Sequence, residues 1–214
     1  MIKHNYTEII SHIKEFVDPA TVTLVAVTKY QSIEAANEAI QCGISDIGEN
    51  KVQQLCARNS LLLPSKRHLI GHLQTNKAKS AVSVADLIQS VDSVRVAAEI
   101  SKQAAKIDKI QDVLIEINIA NEPTKTGASV NDLTDILNTC SCLPNIFVRG
   151  LMAIMPIAAD EYYYEKMNFL FHDFQSQNHK NILLQTLSMG MSDDYQIAVK
   201  NGSNMIRVGR TLFK

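Results

Sequence analysis

No stretch of this chain is apolar for the roughly 20 residues that a bilayer-spanning helix needs, so no membrane-spanning helix is expected. An apolar secretory core is missing too, because Lys3, Glu8, Lys14 and Glu15 punctuate the opening segment. Basic excess is absent: 21 Lys and Arg stand against 22 Asp and Glu, for a net charge of −1, and no basic cluster stands out. Phosphate tracking along a duplex needs several Lys and Arg on one face, so nucleic acid is not an expected partner. The four cysteines, Cys42, Cys56, Cys140 and Cys142, are scattered rather than framed as a disulfide scaffold, which favours a reducing cytoplasm. Cys140-Ser141-Cys142 has no second pair and no suitably spaced His, so no metal site is expected. Linker-like stretches are lacking as well. With 214 residues and 46% hydrophobic content, this predicts one domain over residues 1–214.

What is present is organised around Val22-Thr23-Leu24-Val25-Ala26-Val27-Thr28-Lys29. An unbroken β-branched and apolar run without alternation reads as a strand covered on both faces, the mark of a parallel sheet wrapped by helices. The lysine stands where that strand leaves its sheltered layer, and in α/β folds ligands bind at the carboxyl ends of strands. An amine partly withdrawn from water there is free to attack a carbonyl. A solvated lysine ahead of the turn at Tyr30-Gln31-Ser32 explains position 29 equally well when it is taken alone.

Ile2, Tyr6, Ile9, Ile13 and Phe16 recur at helical spacing and predict an amphipathic N-terminal helix ended by Asp18-Pro19. After the first strand, Ser32 caps a helix that finishes at Gly43. The same unit then repeats in type. Strands are predicted over 44–48, 67–71, 86–90, 113–119, 146–152, 183–187 and 204–208. Helices are predicted over 49–58, through 76–78, and over 94–107, 130–137, 161–175 and 194–200. Eight strands alternating with helices predict a single-domain TIM-type (β/α)8 barrel with an extra N-terminal helix. An open doubly wound sheet permits the same order, but the count favours closure.

In a barrel the residues at strand ends carry function. Ser188-Met189-Gly190-Met191-Ser192 follows the seventh strand, and Gly209-Arg210 follows the eighth. Small residues, backbone amides and a cation there suit a phosphate, although an ordinary turn with Ser192 as a helix cap reads the first stretch as well. Arg207 lies inside the apolar run Met205 to Gly209, where a ligand or a carboxylate is the expected partner. Asn50 and His72 also fall at strand ends, where local turn contacts compete with ligand contacts. Leu151 to Pro156 reads as core packing, and Tyr162-Tyr163-Tyr164 as surface and packing. A lysine amine, a phosphate cradle and an arginine at one mouth suggest a phosphorylated aldehyde held as a Schiff base. Pyridoxal phosphate fits, as do sugar phosphates of Schiff-base aldolases, although a lysine on the first strand tells against the latter.

Ala26-Val27-Thr28-Lys29, Gly48-Glu49-Asn50-Lys51-Val52-Gln53, Ile70-Gly71-His72-Leu73-Gln74-Thr75-Asn76-Lys77, Gly150-Leu151-Met152, Ser188-Met189-Gly190-Met191-Ser192-Asp193-Asp194 and Arg207-Val208-Gly209 together resemble the YggS/PROSC pyridoxal phosphate homeostasis proteins. Lys51 and Asn204 depart from what is common there. The resemblance implies an alanine racemase N-terminal type barrel binding pyridoxal 5'-phosphate covalently on Lys29. It implies that Ser188, Met189, Gly190, Ser192 and Gly209 hold the phosphate and that Arg207 faces the pyridine nitrogen; Asn50, His72 and Arg210, read from their places at strand ends, are expected in the same site.

A permanent cation at that nitrogen weakens the cofactor as an electron sink. Racemases with this arginine add a tyrosine base from another domain, and no second domain is expected within residues 1–214. The expected function is therefore intracellular storage and delivery of the cofactor without substantial turnover, by a monomer with PLP-dependent apo-enzymes as recipients. A fold-type III amino acid racemase is the alternative.

Overall fold

In the computed structural model, residues 1–175 and 180–214 are described. These residues form eight parallel strands: β1 Thr23–Val27, β2 Asp46–Glu49, β3 Lys66–Leu69, β4 Leu87–Val91, β5 Gln111–Ile117, β6 Ile146–Ala153, β7 Ile182–Ser188 and β8 Met205–Val208. They hydrogen-bond in sequence order and close into a barrel, β8 returning to β1 through the register Thr23 to Met205 and Val25 to Arg207. Between strands run α2 Ile33–Gln41, α3 Val52–Arg58, α4 Ala78–Val84, α5 Val94–Ala105, α6 Leu133–Cys142, α7 Glu161–Gln175 and α8 Tyr195–Lys200. Helix α1 Ile2–Lys14 precedes β1, and the short α9 Arg210–Phe213 follows β8.

Local chemistry sets these boundaries. Ser32 and Ser93 cap α2 and α5, their hydroxyls accepting the amides of Ala35 at 3.2 Å and Val96 at 3.4 Å. Two cores result. The outer one lies between barrel and helices, and a small inner one joins Val25, Leu114, Met152 and Met205 inside the barrel.

The expected elements are all present, with shifted ends. Helix α1 stops at Lys14 and leaves Phe16 exposed. Residues 75–77 form a 3-10 turn, so α4 starts at Ala78. Strand β5 ends at Ile117 because Asn118 begins a turn, donating to Glu122 O at 2.8 Å and accepting its amide at 3.0 Å. Helix α9 was not anticipated. The Asn5 side chain of α1 donates to Leu212 O at 3.0 Å, tying the first helix to the last. No helix among the described residues is long and apolar enough to cross a membrane.

Candidate functional site

At the carboxyl ends of the strands lies a cleft of about 270 Å³, lined by Val27, Lys29, Asn50, Ile70, Ile154, Met191, Ser192, Arg207, Gly209 and Arg210. Lys29 reaches it from the turn after β1. That turn is held from outside the barrel: Thr28 Oγ1 donates to buried Glu49 Oε1 at 2.6 Å, and Arg58 of α3 donates to the carbonyls of Thr28, Gln31 and Ser32 at 3.3, 2.9 and 3.3 Å. Arg58 Nε lies 3.3 Å from the same Glu49 oxygen, an ion pair without hydrogen-bond alignment. Burial pushes the Glu49 carboxyl above its usual range, against the opposing pull of the Thr28 hydroxyl and the Arg58 charge. Nearby, Gly71 packs against the Asn50 carbonyl with no room for a Cβ, which fixes the Asn50 turn at the rim.

The other wall comes from the loops after β7 and β8. Ser192 Oγ accepts the amides of Gly209 and Thr211, both at 3.3 Å, and Thr211 Oγ1 donates to Ser192 O at 3.2 Å. Asp194 props this wall, its Oδ1 accepting the Met191 amide at 2.6 Å and its Oδ2 the Tyr164 hydroxyl at 2.7 Å. Gly190 sits at φ +94°, with Ala198 Cβ 2.6 Å from where a side chain would begin, so only glycine fits the bend. Arg210 lines the rim, half engaged by an exposed ion pair with Asp193.

Arg207 rises from inside the barrel to the cleft floor. Its Nη1 donates to Ser188 Oγ at 2.7 Å and its Nη2 to Ala153 O at 2.9 Å, so of the two expected partners, a ligand or a carboxylate, no carboxylate is hydrogen-bonded to it among the described residues, and its head group lines the cleft. Burial pulls its guanidinium down to about 10, partly offset by the charge of Glu116, and it stays a cation at neutral pH. Burial in turn pushes the Glu116 carboxyl up.

Lys29, Asn50, Ser192, Arg207, Gly209 and Arg210 thus share one cleft. The other four expected residues, Ser188, Met189, Gly190 and His72, do not line it. Ser188 is wholly buried beneath Arg207, Met189 is packed in the outer core, and His72 lies to the side, half exposed and paired with Asp92 at 3.3 Å. Gly190 shapes the wall through its backbone and is itself buried. Sequence reasoning missed the apolar wall of Val27, Ile70 and Ile154, and the Tyr164–Asp194 prop. Spacing of Tyr164 with Met167, Phe171 and Phe174 on one face of α7 was the available signal for the latter.

The whole chain, residues 1–214, matches the family profile described as alanine racemase, N-terminal domain. A pyridoxal phosphate homeostasis protein of Aquifex aeolicus is 37% identical over 89% of this chain and 85% of that one. Its namesake in Escherichia coli is 33% identical over 91% and 86%. The structure of PipY from Synechococcus elongatus with PLP bound superposes with a TM-score of 0.88 at 30% identity, covering both chains fully. An alanine racemase of Clostridium difficile shares the fold, with a TM-score of 0.76 at 15% identity over 95% of this chain and 57% of that one. By sequence and by fold, this chain belongs to the pyridoxal phosphate homeostasis proteins of the alanine racemase N-terminal family.

Proposed function

We propose that this protein binds pyridoxal 5'-phosphate in the cleft and serves to hold and hand on the cofactor rather than to turn over a substrate. The residues present fit the group. Lys29 supplies an amine, the Ser192 hydroxyl, held by the Gly209 and Thr211 amides that donate to its oxygen, supplies a donor for a phosphate, Arg207 supplies a fixed cation, and Val27, Ile70 and Ile154 supply an apolar wall for a ring. When bound, the cofactor offers an aldehyde to an amine and a ring that can draw electrons from it. Lys29 Nζ would supply the amine that holds that aldehyde, a condensation that would release one water. Arg207, a cation that cannot accept a proton, disfavours protonation of a nitrogen placed against it and keeps the ring a weak electron sink.

The observation that carries the absence of turnover is the lining itself. Among the described residues that line the cleft, Lys29 alone bears a group suited to taking and returning a proton, and racemisation needs one on each face of the substrate. The names of the relatives and the PLP-bound neighbour support the same reading. In this reading the protein works as a monomer in a reducing cytoplasm, where its four free thiols persist, and PLP-dependent apo-enzymes receive its cargo.

The test is to incubate the PLP-loaded protein with single enantiomers of several amino acids and follow optical rotation. A flat trace is expected. Sustained interconversion that disappears in Lys29→Ala establishes a racemase instead.

A further inference from the structure

Five side chains from five strands form one hydrogen-bonded row through the barrel interior: Asp46 of β2, His68 of β3, Gln89 of β4, Ser188 of β7 and Arg207 of β8, all buried. With the Gln89 amide oxygen facing Ser188, the donors and acceptors run in one sense along the row. A guanidinium donates and never accepts, so Arg207 Nη1 gives its proton to Ser188 Oγ at 2.7 Å. Ser188 passes its own to Gln89 Oε1 at 2.8 Å, which turns the amide nitrogen of Gln89 toward His68 Nδ1 at 2.9 Å. Nδ1 is then an acceptor, so the ring proton sits on Nε2 and goes to Asp46 Oδ1 at 2.8 Å, while the other Asp46 oxygen accepts from Ser45. The row runs without a break from a cation at the ligand end to a carboxylate at the far end of the barrel.

Packing does not call for such a row. The barrel interior around it is filled by Val25, Leu114, Met152 and Met205, and apolar side chains fill a buried volume without the desolvation that polar groups incur. What the row does that apolar residues cannot is fix the rotation of the Arg207 head group. Nη1 is held by Ser188, Nη2 by Ala153 O, and each hydrogen bond in the chain polarises the next.

We propose that Gln89 and His68 are positioning residues for the cleft: neither lines it, yet through Ser188 they set the orientation and hydrogen-bonding sense of the Arg207 guanidinium that a bound ring meets. This rests on the reading of the cleft as a pyridoxal phosphate site.

Two measurements test it. The first, 15N NMR of histidine-labelled protein without cofactor, reads the row directly. His68 as the neutral Nε2–H tautomer is expected, and an Nδ1–H or doubly protonated ring at neutral pH overturns the row. The second compares PLP-loaded Gln89→Met and Ser188→Ala, each of which cuts the row, with Met152→Leu, an interior change outside it. Both cuts should shift the visible absorption maximum and weaken retention on dialysis by about tenfold, the effect typical of groups one shell removed from a bound partner. Met152→Leu should leave both unchanged at comparable thermal stability. Wild-type spectra in both cut variants, or the same shift in Met152→Leu, overturn the positioning role. If the unaltered protein takes up no PLP, the cofactor reading fails by itself, and the tautomer still decides whether the row exists.

Discussion

The Ser192 hydroxyl gathers two amides, those of Gly209 and Thr211, at the anion end of the cleft, while Arg210 beside it shares its charge with exposed Asp193. Exposed ion pairs hold little energy, and a rim cation is screened by solvent. Ser192→Ala should therefore loosen PLP retention more than Arg210→Ala does, by roughly tenfold for a lost hydrogen bond to a charged group. Equilibrium dialysis with fluorescence readout measures both. Unchanged retention in the pair would remove the phosphate cradle from this wall. The meeting of Lys29, Ser192 and Gly209 at one mouth was legible in sequence because each lies in the segment that follows a strand. His72 also follows a strand, but its ring pairs with Asp92 between β4 and α5, a partner with no signature in the local sequence.

Among the elements, the turn after β1 depends on α3 for its position. Arg58 ties three of its carbonyls and faces the buried carboxylate of Glu49, whose second oxygen has no partner. Removing the cation from a buried pair costs about 3–5 kcal/mol, so Arg58→Ala should lower the melting temperature by roughly 10 °C for a chain of this size. The pH dependence has a definite sign. Folding raises the Glu49 pKa above its ordinary 4.5, so its contribution to stability is complete below that value and is lost as pH rises through the folded value. Without Arg58 the folded value rises further, so the deficit of the variant should be larger near pH 7 than near pH 4. Thermal melts at both pH values measure this, and an equal deficit at the two would separate Glu49 from the clamp. The run Gly48-Glu49-Asn50 drew attention to Asn50, whereas the outward-facing Glu49 between them is the residue that fixes the lysine turn.

For the molecule as a whole, the barrel was readable because each β-branched run is followed by a helical repeat, and eight such units have few ways to bury both faces. The interior row was not readable. Asp46, His68 and Gln89 are single polar residues in three otherwise ordinary strands, and only closure of β8 onto β1 brings them into line with Ser188 and Arg207. The same closure sets Lys29 of the first unit beside the loops of the last two, and the proposed chemistry depends on that meeting. Borohydride reduction of the PLP-loaded protein followed by peptide mass mapping tests it most directly. A single pyridoxyl adduct on Lys29, absent in Lys29→Ala, is the expected result; an adduct on another lysine, or none at all, contradicts it.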